Sequence, residues 1–162
     1  MKKAGSYLGA AVLVGLLSEY SDNNLNLINA PPLAKEKGIQ LSTSHEEQVP
    51  TQLECLVSVE VQQQGGAIHQ VGGFVSAGTP MLAQINGASV STPVSLAGNV
   101  LVYKSQANPQ VMPAVAGALA GANASILSYA GSLPVNGAAW GIMRISQPIS
   151  CLDILKLHVN MV

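Results

Sequence analysis

The distribution of charge along the chain constrains its fold more than any single motif does. Lys104 is the only charged side chain between Val61 and Met143, although about a quarter of the residues in a typical soluble protein are charged. Gln, Asn, Ser and Gly supply the polar positions of this stretch. Such a surface is either the neutral polar surface of β-rich domains or a surface partly buried against other domains or subunits. The formal net charge of −1 also favours association between molecules.

Charge and hydropathy argue against two classes of partner. The chain has 7 Lys and Arg residues and no basic block, so we expect no nucleic-acid partner. The apolar run from Tyr7 to Leu17 follows Lys2 and Lys3, as in a signal peptide, but it is too short to span a bilayer. Its apolar residues repeat with helical spacing. We therefore favour an amphipathic helix over about residues 6–20, no membrane partner and a cytoplasmic location. A secreted small protein is the alternative.

The first third of the chain predicts short elements. Residues 25–30 and 39–44 each have the apolar, β-favouring character of a short strand. Between them, Pro31 and Pro32 open a short helix over residues 33–37. Gly38 is placed to adopt the left-handed conformation that ends such a helix.

The middle of the chain predicts antiparallel strands. Residues 53–61 alternate in their second half and residues 67–76 form the returning strand, in which Gly72 and Gly73 indicate a bulge. Residues 81–85 and 88–91 flank Asn86 and Gly87, and Asn-Gly between apolar segments is a strong hairpin signal. The Thr92-Pro93 pair marks a possible domain boundary.

The last third predicts a β-α-β-β-α-β order. A strand over residues 99–104 precedes a helix that starts at Pro109 and ends near Asn123. Strands over residues 125–129 and 139–146, a helix over 149–155 and a strand over 156–162 follow. This order is that of the ferredoxin-like split βαβ arrangement. The fold class is therefore α+β, with a small β-rich domain before a ferredoxin-like one.

Recognisable catalytic motifs are missing from the sequence. It contains no G-x-G-x-x-G dinucleotide loop, no phosphate-binding loop and no G-x-S-x-G nucleophile elbow. The three His residues are scattered, so we expect no metal site. Arg144 could form a structural ion pair with Glu54, Glu60 or Asp153.

Residues 25–39, which read LNLINAPPLAKEKGI, carry a family resemblance. They resemble the V-N-x-x-N-A-x-x-L-A-K-E-x-G-I signature of the D-3-phosphoglycerate dehydrogenase family. Further similar segments follow in the family's order: residues 42–45 (STSH), 84–88 (QINGA), 126–129 (ILSY) and 140–143 (WGIM). They are similar to the long, vertebrate-like form of the enzyme.

The resemblance implies two domains. Residues 1–94 correspond to the intervening, or allosteric substrate-binding, domain, and residues 95–162 correspond to an ACT-like regulatory domain. The family is NAD-dependent and oxidises 3-phosphoglycerate to 3-phosphohydroxypyruvate. Its NAD loop and its catalytic Arg, Glu and His belong to domains that would precede Lys2. The resemblance therefore implies that this chain alone holds no catalytic residue and no cofactor.

The resemblance also identifies weak candidates for effector binding. In serine-inhibited members an R-P-G-like loop precedes the first ACT helix, and an Asn starts the second strand. Here the loop reads Asn108-Pro109-Gln110 and the strand position is Ser125, so the Gly and the Asn are both replaced and we expect no serine feedback. Lys35 and Lys37 are the only basic candidates for an anion site in the signature helix, and ordinary surface lysines are the plainer interpretation.

Two functional hypotheses follow. The first is the C-terminal regulatory and assembly portion of an NAD-dependent D-3-phosphoglycerate dehydrogenase of L-serine biosynthesis, as a homo-oligomer or with full-length subunits. The alternative is a free-standing ACT-type sensor or regulatory subunit that binds an amino acid or a small anion. Binding of amino acids to the isolated chain discriminates between them.

Overall fold

The computed structural model describes residues 2–18, 24–45, 56–63, 65–106 and 108–149. Contacts divide the chain into two compact units, Met1–Gln52 and Leu53–Val162. The domain boundary that we predict between residues 94 and 95 falls near the end of a strand in the second unit. That boundary stays a prediction.

Two helices form the core of the first unit. Helix α1 spans Lys2–Leu17 and helix α2 spans Ala30–Glu36. Leu13 and Leu17 of α1 are buried together with Ala30 and Ala34 of α2, so the predicted first helix is confirmed. Leu8, which the helical pattern places on the same stripe, is 51% exposed, because the buried face of α1 runs through Leu13 and Leu17.

Helix α2 begins earlier than the sequence predicts. The two prolines occupy its first turn, and Ala30 precedes them as the first helical residue. Proline is tolerated there because the N–H groups of the first turn have no partner within the helix. Gly38 follows the helix with a φ of 73°, which confirms its predicted role as the left-handed residue after the helix.

The prediction of two strands beside α2 is wrong. Residues 24–29 form a turn that is held by asparagine side chains, and residues 39–45 belong to no strand. The second segment packs against α1 instead: a Cβ at Gly9 would lie 2.8 Å from Leu41 and 3.5 Å from Thr43. Because Gly9 has no side chain, the segment that contains Leu41 and Thr43 can lie against α1.

The second unit starts with a four-stranded antiparallel sheet in the order β1-β2-β3-β4. Its strands are β1 Val57–Gln62, β2 Ile68–Ser76, β3 Thr79–Ile85 and β4 Ala88–Ser95. The predicted hairpin at Asn86 and Gly87 is confirmed, since Ile85 pairs with Ala88. The predicted bulge is also confirmed, because the register shifts between Gly72 and Gly73.

The hairpin between β2 and β3 is one that the sequence does not predict. Strands β2 and β3 are joined at Ala77 and Gly78, whose φ angles are 48° and 77°. Positive φ at both central residues defines the turn class that suits a two-residue hairpin. Asn or Gly normally occupies the first of these positions, so Ala77 gave no signal in the sequence.

A three-stranded sheet and one helix follow. Strands β5 Asn99–Gln106, β6 Ile126–Gly131 and β7 Ala138–Ile145 lie in the order β5-β7-β6, and helix α3 Val111–Gly121 connects β5 to β6. Both β5 and β6 are antiparallel to β7, so they are parallel to each other and β7 lies between them. Asn123 has a φ of 55° after α3, as predicted for its cap.

The three-stranded sheet is covered on both faces. Val115 and Leu119 of α3 pack with Leu101, Met143 and Ile145 on one face. On the other face, Ile142 and Ala130 pack with Leu82, Val90 and Val94 of the four-stranded sheet. The α+β class is confirmed. The ferredoxin-like assignment stays a prediction. Of the predicted helix over residues 149–155 only residue 149 is among the described residues, and the predicted strand over 156–162 lies outside them.

Candidate functional site

The signature segment folds into a turn closed by two asparagines. The Asn26 N–H donates to Asn29 Oδ1 at 2.7 Å, and the Asn29 N–H donates to Asn26 Oδ1 at 3.1 Å. Asn26 Oδ1 also accepts the Ile28 N–H at 2.9 Å. Asn29 Nδ2 donates to the Asn24 carbonyl at 2.8 Å. These bonds satisfy backbone N–H groups of the turn that precedes α2.

The apolar residues of the signature anchor this turn to the first unit. Ala30 is fully buried and Ala34 almost so, and both pack against α1. Ile28, at a variable position of the signature, is 88% exposed. The two asparagines and the two alanines therefore close the turn before α2 and pack the short helix against α1, which is a structural role.

Lys35 and Lys37 lie at the carboxyl end of α2. Both side chains are exposed. Lys35 is in the last turn, and Lys37 is the C-cap, whose N–H donates to the Leu33 carbonyl at 3.0 Å. Cations are favourable at this end of a helix because its carbonyl groups carry partial negative charge. This interaction with the helix end explains the presence of the two lysines without a bound anion. Anion binding by Lys35 and Lys37 stays a prediction.

Asn108 and Gln110 form the turn that starts α3. The Gln110 N–H donates to Asn108 Oδ1 at 2.9 Å, and the Val111 N–H donates to the Asn108 carbonyl at 3.2 Å. Gln110 is the N-cap residue and its side chain caps no backbone group. Both side chains are exposed. Asn108 thus uses its side-chain oxygen to hold the turn, and the structure brings these two candidates together.

Ser125 lies at the opposite end of α3. Its N–H donates to Ser146 Oγ at 2.9 Å, and its carbonyl accepts the Ser146 N–H at 3.0 Å. Helix α3 has 11 residues, which corresponds to a length of about 16 Å. Within one chain, Ser125 is therefore not brought to the turn of Asn108 and Gln110. These three residues form no single site in one molecule, and their effector role stays a prediction.

Two tyrosines cross the sheet on the face that carries α3. Tyr103 of β5 pairs with Gly141 of β7, and a Cβ at Gly141 would overlap the Tyr103 ring. Burial, and then the charge and hydrogen bond of Tyr129 on β6, raise the pKa of Tyr103 to about 12. The glycine therefore creates the space for this tyrosine pair. Sequence reasoning missed the pair because it depends on the register of three strands.

The two cations of this sheet lie on its other face. Lys104 Nζ is 5.7 Å from the centre of the Trp140 ring, a distance at which the cation and the ring attract each other. Arg144 Nε is buried and has no hydrogen-bond partner in the described ranges. The predicted partner Glu60 lies on β1 opposite Gln70, and Glu54 and Asp153 lie outside the described residues.

Two kinds of feature are absent from the described part of the chain. No group of three or more His, Cys, Asp or Glu residues in it could hold a metal ion. No helix in it is long and apolar enough to cross a membrane. The asparagine-closed turn, the hairpins and the helix-covered sheet define an α+β protein built from small antiparallel modules.

The comparisons assign this protein to a family. Residues 2–86 match the D-3-phosphoglycerate dehydrogenase intervening domain, and the chain belongs to that family. It is 38% identical over 99% of its length to the D-3-phosphoglycerate dehydrogenases of Rattus norvegicus and Homo sapiens, and 37% identical to that of Sus scrofa. The chain spans 31% of the length of each of these relatives. The resemblance to the D-3-phosphoglycerate dehydrogenase family is thus confirmed, while the ACT-like assignment of residues 95–162 stays a prediction.

Proposed function

We propose that this chain is the regulatory and assembly part of an NAD-dependent D-3-phosphoglycerate dehydrogenase of L-serine biosynthesis. The observation that carries the proposal is the similarity to these dehydrogenases over 99% of the chain, a range that includes both the asparagine-closed turn and the three-stranded sheet. In this role the chain performs no catalytic step. NAD and substrate would bind to parts of the full-length enzyme other than those aligned with this chain, and the location would be cytoplasmic.

The order of elements supports an ACT-like role for residues 95–162. Strand β5, helix α3 and strand β6 form a βαβ unit whose two strands are separated by β7, which is the first part of the split βαβ pattern. ACT domains in general join through their sheets. The part of this chain that would make the contact is therefore a sheet edge.

Strand β6 is the candidate edge. It lies at one end of the order β5-β7-β6, and an edge strand presents unpaired N–H and C=O groups that can pair with another chain. Leu127 is 58% exposed and Tyr129 is 48% exposed. The strand carries none of the charges or prolines with which proteins usually protect an edge. We infer that β6 pairs with β6 of a second subunit around a two-fold axis.

Sedimentation velocity of the purified chain tests this assembly role. We expect a dimer or larger species that the substitution Leu127→Lys converts to monomer, because Lys at an edge disfavours pairing. Val71→Lys is the matched control, since Val71 is also exposed but pairs with both Val59 and Ile85. A wild-type chain that stays monomeric at high concentration, or a Leu127→Lys variant that assembles like the wild type, would contradict the proposal.

The sensor hypothesis has a separate test. We expect no heat of binding when L-serine is titrated into the chain, because Gln110 replaces the glycine of the serine-binding loop and Ser125 lies at the other end of α3. Binding of an amino acid that is lost in Asn108→Ala would favour the sensor. Binding of a small anion that is lost in Lys35→Gln would identify α2 as an effector site.

A further inference from the structure

The chain contains two Asn-Gly pairs, and both form the same kind of turn. Asn86 and Gly87 have φ angles of 46° and 77°, and Asn136 and Gly137 have φ angles of 53° and 78°. The first pair joins β3 to β4. The second closes a small hairpin in which Val135 pairs with Ala138. The backbones of the two turns are therefore matched, and differences between them arise from the side chains and their surroundings.

The asparagine side chains differ in how they are held. Asn86 Oδ1 accepts the Gln70 N–H at 2.7 Å, and the Asn86 N–H donates to the Gln70 carbonyl at 2.7 Å. Asn86 is partly buried by this contact with β2. Asn136 and Gly137 are both exposed. The side chain of Asn136 makes no hydrogen bond to another described residue. Asn136 is thus free to change its side-chain rotamer, whereas Asn86 must first break a bond.

We propose that Asn136 is a site of spontaneous deamidation and that Asn86 is protected from it. In this reaction the Gly137 backbone nitrogen loses its proton and attacks Asn136 Cγ. The new N–Cγ bond closes a five-membered succinimide, and the Cγ–Nδ2 bond breaks to release ammonia. Water then adds to either carbonyl of the ring and opens it, which leaves Asp or isoaspartate. No oxidant or reductant is needed, and Gly137 favours the attack because it has no Cβ to obstruct it.

The product would change a part of the surface that otherwise has almost no charge. Lys104 is the only charged side chain between Val61 and Met143, so a carboxylate at residue 136 is a new kind of group there. Isoaspartate also adds a methylene to the main chain of a two-residue turn. The neighbouring Ser132 and Leu133 bridge to β4, where the Leu133 N–H donates to the Ser89 carbonyl at 3.0 Å. A change in this turn therefore lies close to a link between the two sheets.

Mass spectrometry of the aged full chain tests the proposal. Trypsin separates the two sites, since cleavage after Lys37, Lys104 and Arg144 places Asn86 in residues 38–104 and Asn136 in residues 105–144. Deamidation replaces the side-chain –NH2 by –OH and so raises the mass of the peptide that carries it. We expect this gain at Asn136 roughly fivefold faster than at Asn86, the factor that corresponds to one net hydrogen bond. In urea the two rates should become equal.

The variant Asn136→Gly supplies a control. Glycine keeps the positive φ of this turn and has no side-chain amide to lose. The acidic form of the aged variant should therefore accumulate only at the slower rate of Asn86, while the circular dichroism spectrum is unchanged. Equal native rates at the two sites, or faster reaction at Asn86, would overturn the proposal. So would the absence of product at Asn136 over a period in which the urea-treated chain reacts completely.

Discussion

Asn26 and Asn29 cap each other: the side-chain oxygen of each accepts the backbone N–H of the other, at 3.1 and 2.7 Å. The Ala30 N–H also donates to the Asn26 carbonyl at 3.0 Å. In the segment that resembles the family signature, the two asparagines therefore have a structural role, and so has the alanine that follows the second. The asparagines close the turn, and the alanine allows α2 to pack closely against α1.

Replacing Asn26 should destabilise the first unit. Asn26→Ala removes the acceptor for two backbone N–H groups, those of Ile28 and Asn29. Because the turn is exposed, water can replace part of this bonding, and we expect a loss of about 1 kcal/mol in the free energy of unfolding. Urea denaturation followed by circular dichroism measures it. Asn24→Ala is the control, since Asn24 contributes only its carbonyl to this turn, and an equal loss in that variant would refute the capping role.

Replacing two glycines by alanine should change the free energy of unfolding in opposite directions. Gly141→Ala places a methyl group in the space that the Tyr103 ring occupies, and we expect it to lower the free energy of unfolding by about 1–3 kcal/mol. Gly117→Ala, in the interior of α3, meets nothing within 4 Å and should raise stability by about 0.5–1 kcal/mol. Thermal denaturation of both variants measures the two effects. A neutral Gly141→Ala variant would contradict the described position of Tyr103.

The raised pKa of Tyr103 makes stability depend on pH in the alkaline range. Its folded pKa of about 12 lies above the unfolded value of 10.0. The stability contributed by the neutral phenol is therefore fully present below pH 10.0 and is lost as the pH rises towards about 12. We expect Tyr103→Phe to lose stability less steeply than the wild type over this range, as measured by urea midpoints at a series of pH values.

Tyr129 offers a graded control for that measurement. Tyr129→Phe removes the charge and the hydrogen bond that raise the pKa of Tyr103 but leaves burial, the largest cause. In this variant the pKa of Tyr103 should fall and still exceed 10.0. Spectrophotometric titration of the tyrosines follows it directly. A pKa of Tyr103 that stays at about 12 in Tyr129→Phe would show that the two rings do not interact.

Lys104 should influence the fluorescence of the single tryptophan. Its ammonium lies 5.7 Å from the centre of the Trp140 ring, and a contact of this kind at an exposed site contributes about 0.5–1 kcal/mol. Lys104→Gln should lower the free energy of unfolding by that amount and shift the emission of the folded protein. Lys104→Arg keeps the cation and should restore both properties. Identical spectra for wild type and Lys104→Gln would exclude the contact.

The sequence predicted those elements whose signals are local. Asn86 and Gly87 predicted a hairpin, Gly38 and Asn123 predicted helix ends, and the paired Gly72 and Gly73 predicted a bulge. Each of these residues adopts a backbone conformation, or permits an approach, that other residues resist. Their chemistry specifies the structure without reference to distant parts of the chain.

Other features depend on contacts that local patterns do not contain. Residues 25–30 are predicted as a short strand, but Asn26 and Asn29 bond to each other's backbone and hold a turn instead. Residues 39–45 have no strand partner and lie against α1 near Gly9. The Tyr103 and Tyr129 pair requires the register of β5, β6 and β7. The candidate effector residues were identified by resemblance alone, and the structure places Gln110 and Ser125 at opposite ends of α3.

Immunodepletion tests the proposed function most directly. An antibody raised against residues 126–145 would be used to deplete an extract of the source organism, and NAD-dependent oxidation of 3-phosphoglycerate would be measured in the supernatant. We predict that this activity falls with the removed antigen, either on one longer polypeptide or in a complex with this chain. Full removal of a 16.6 kDa antigen with undiminished dehydrogenase activity would contradict the proposal that this chain serves such an enzyme.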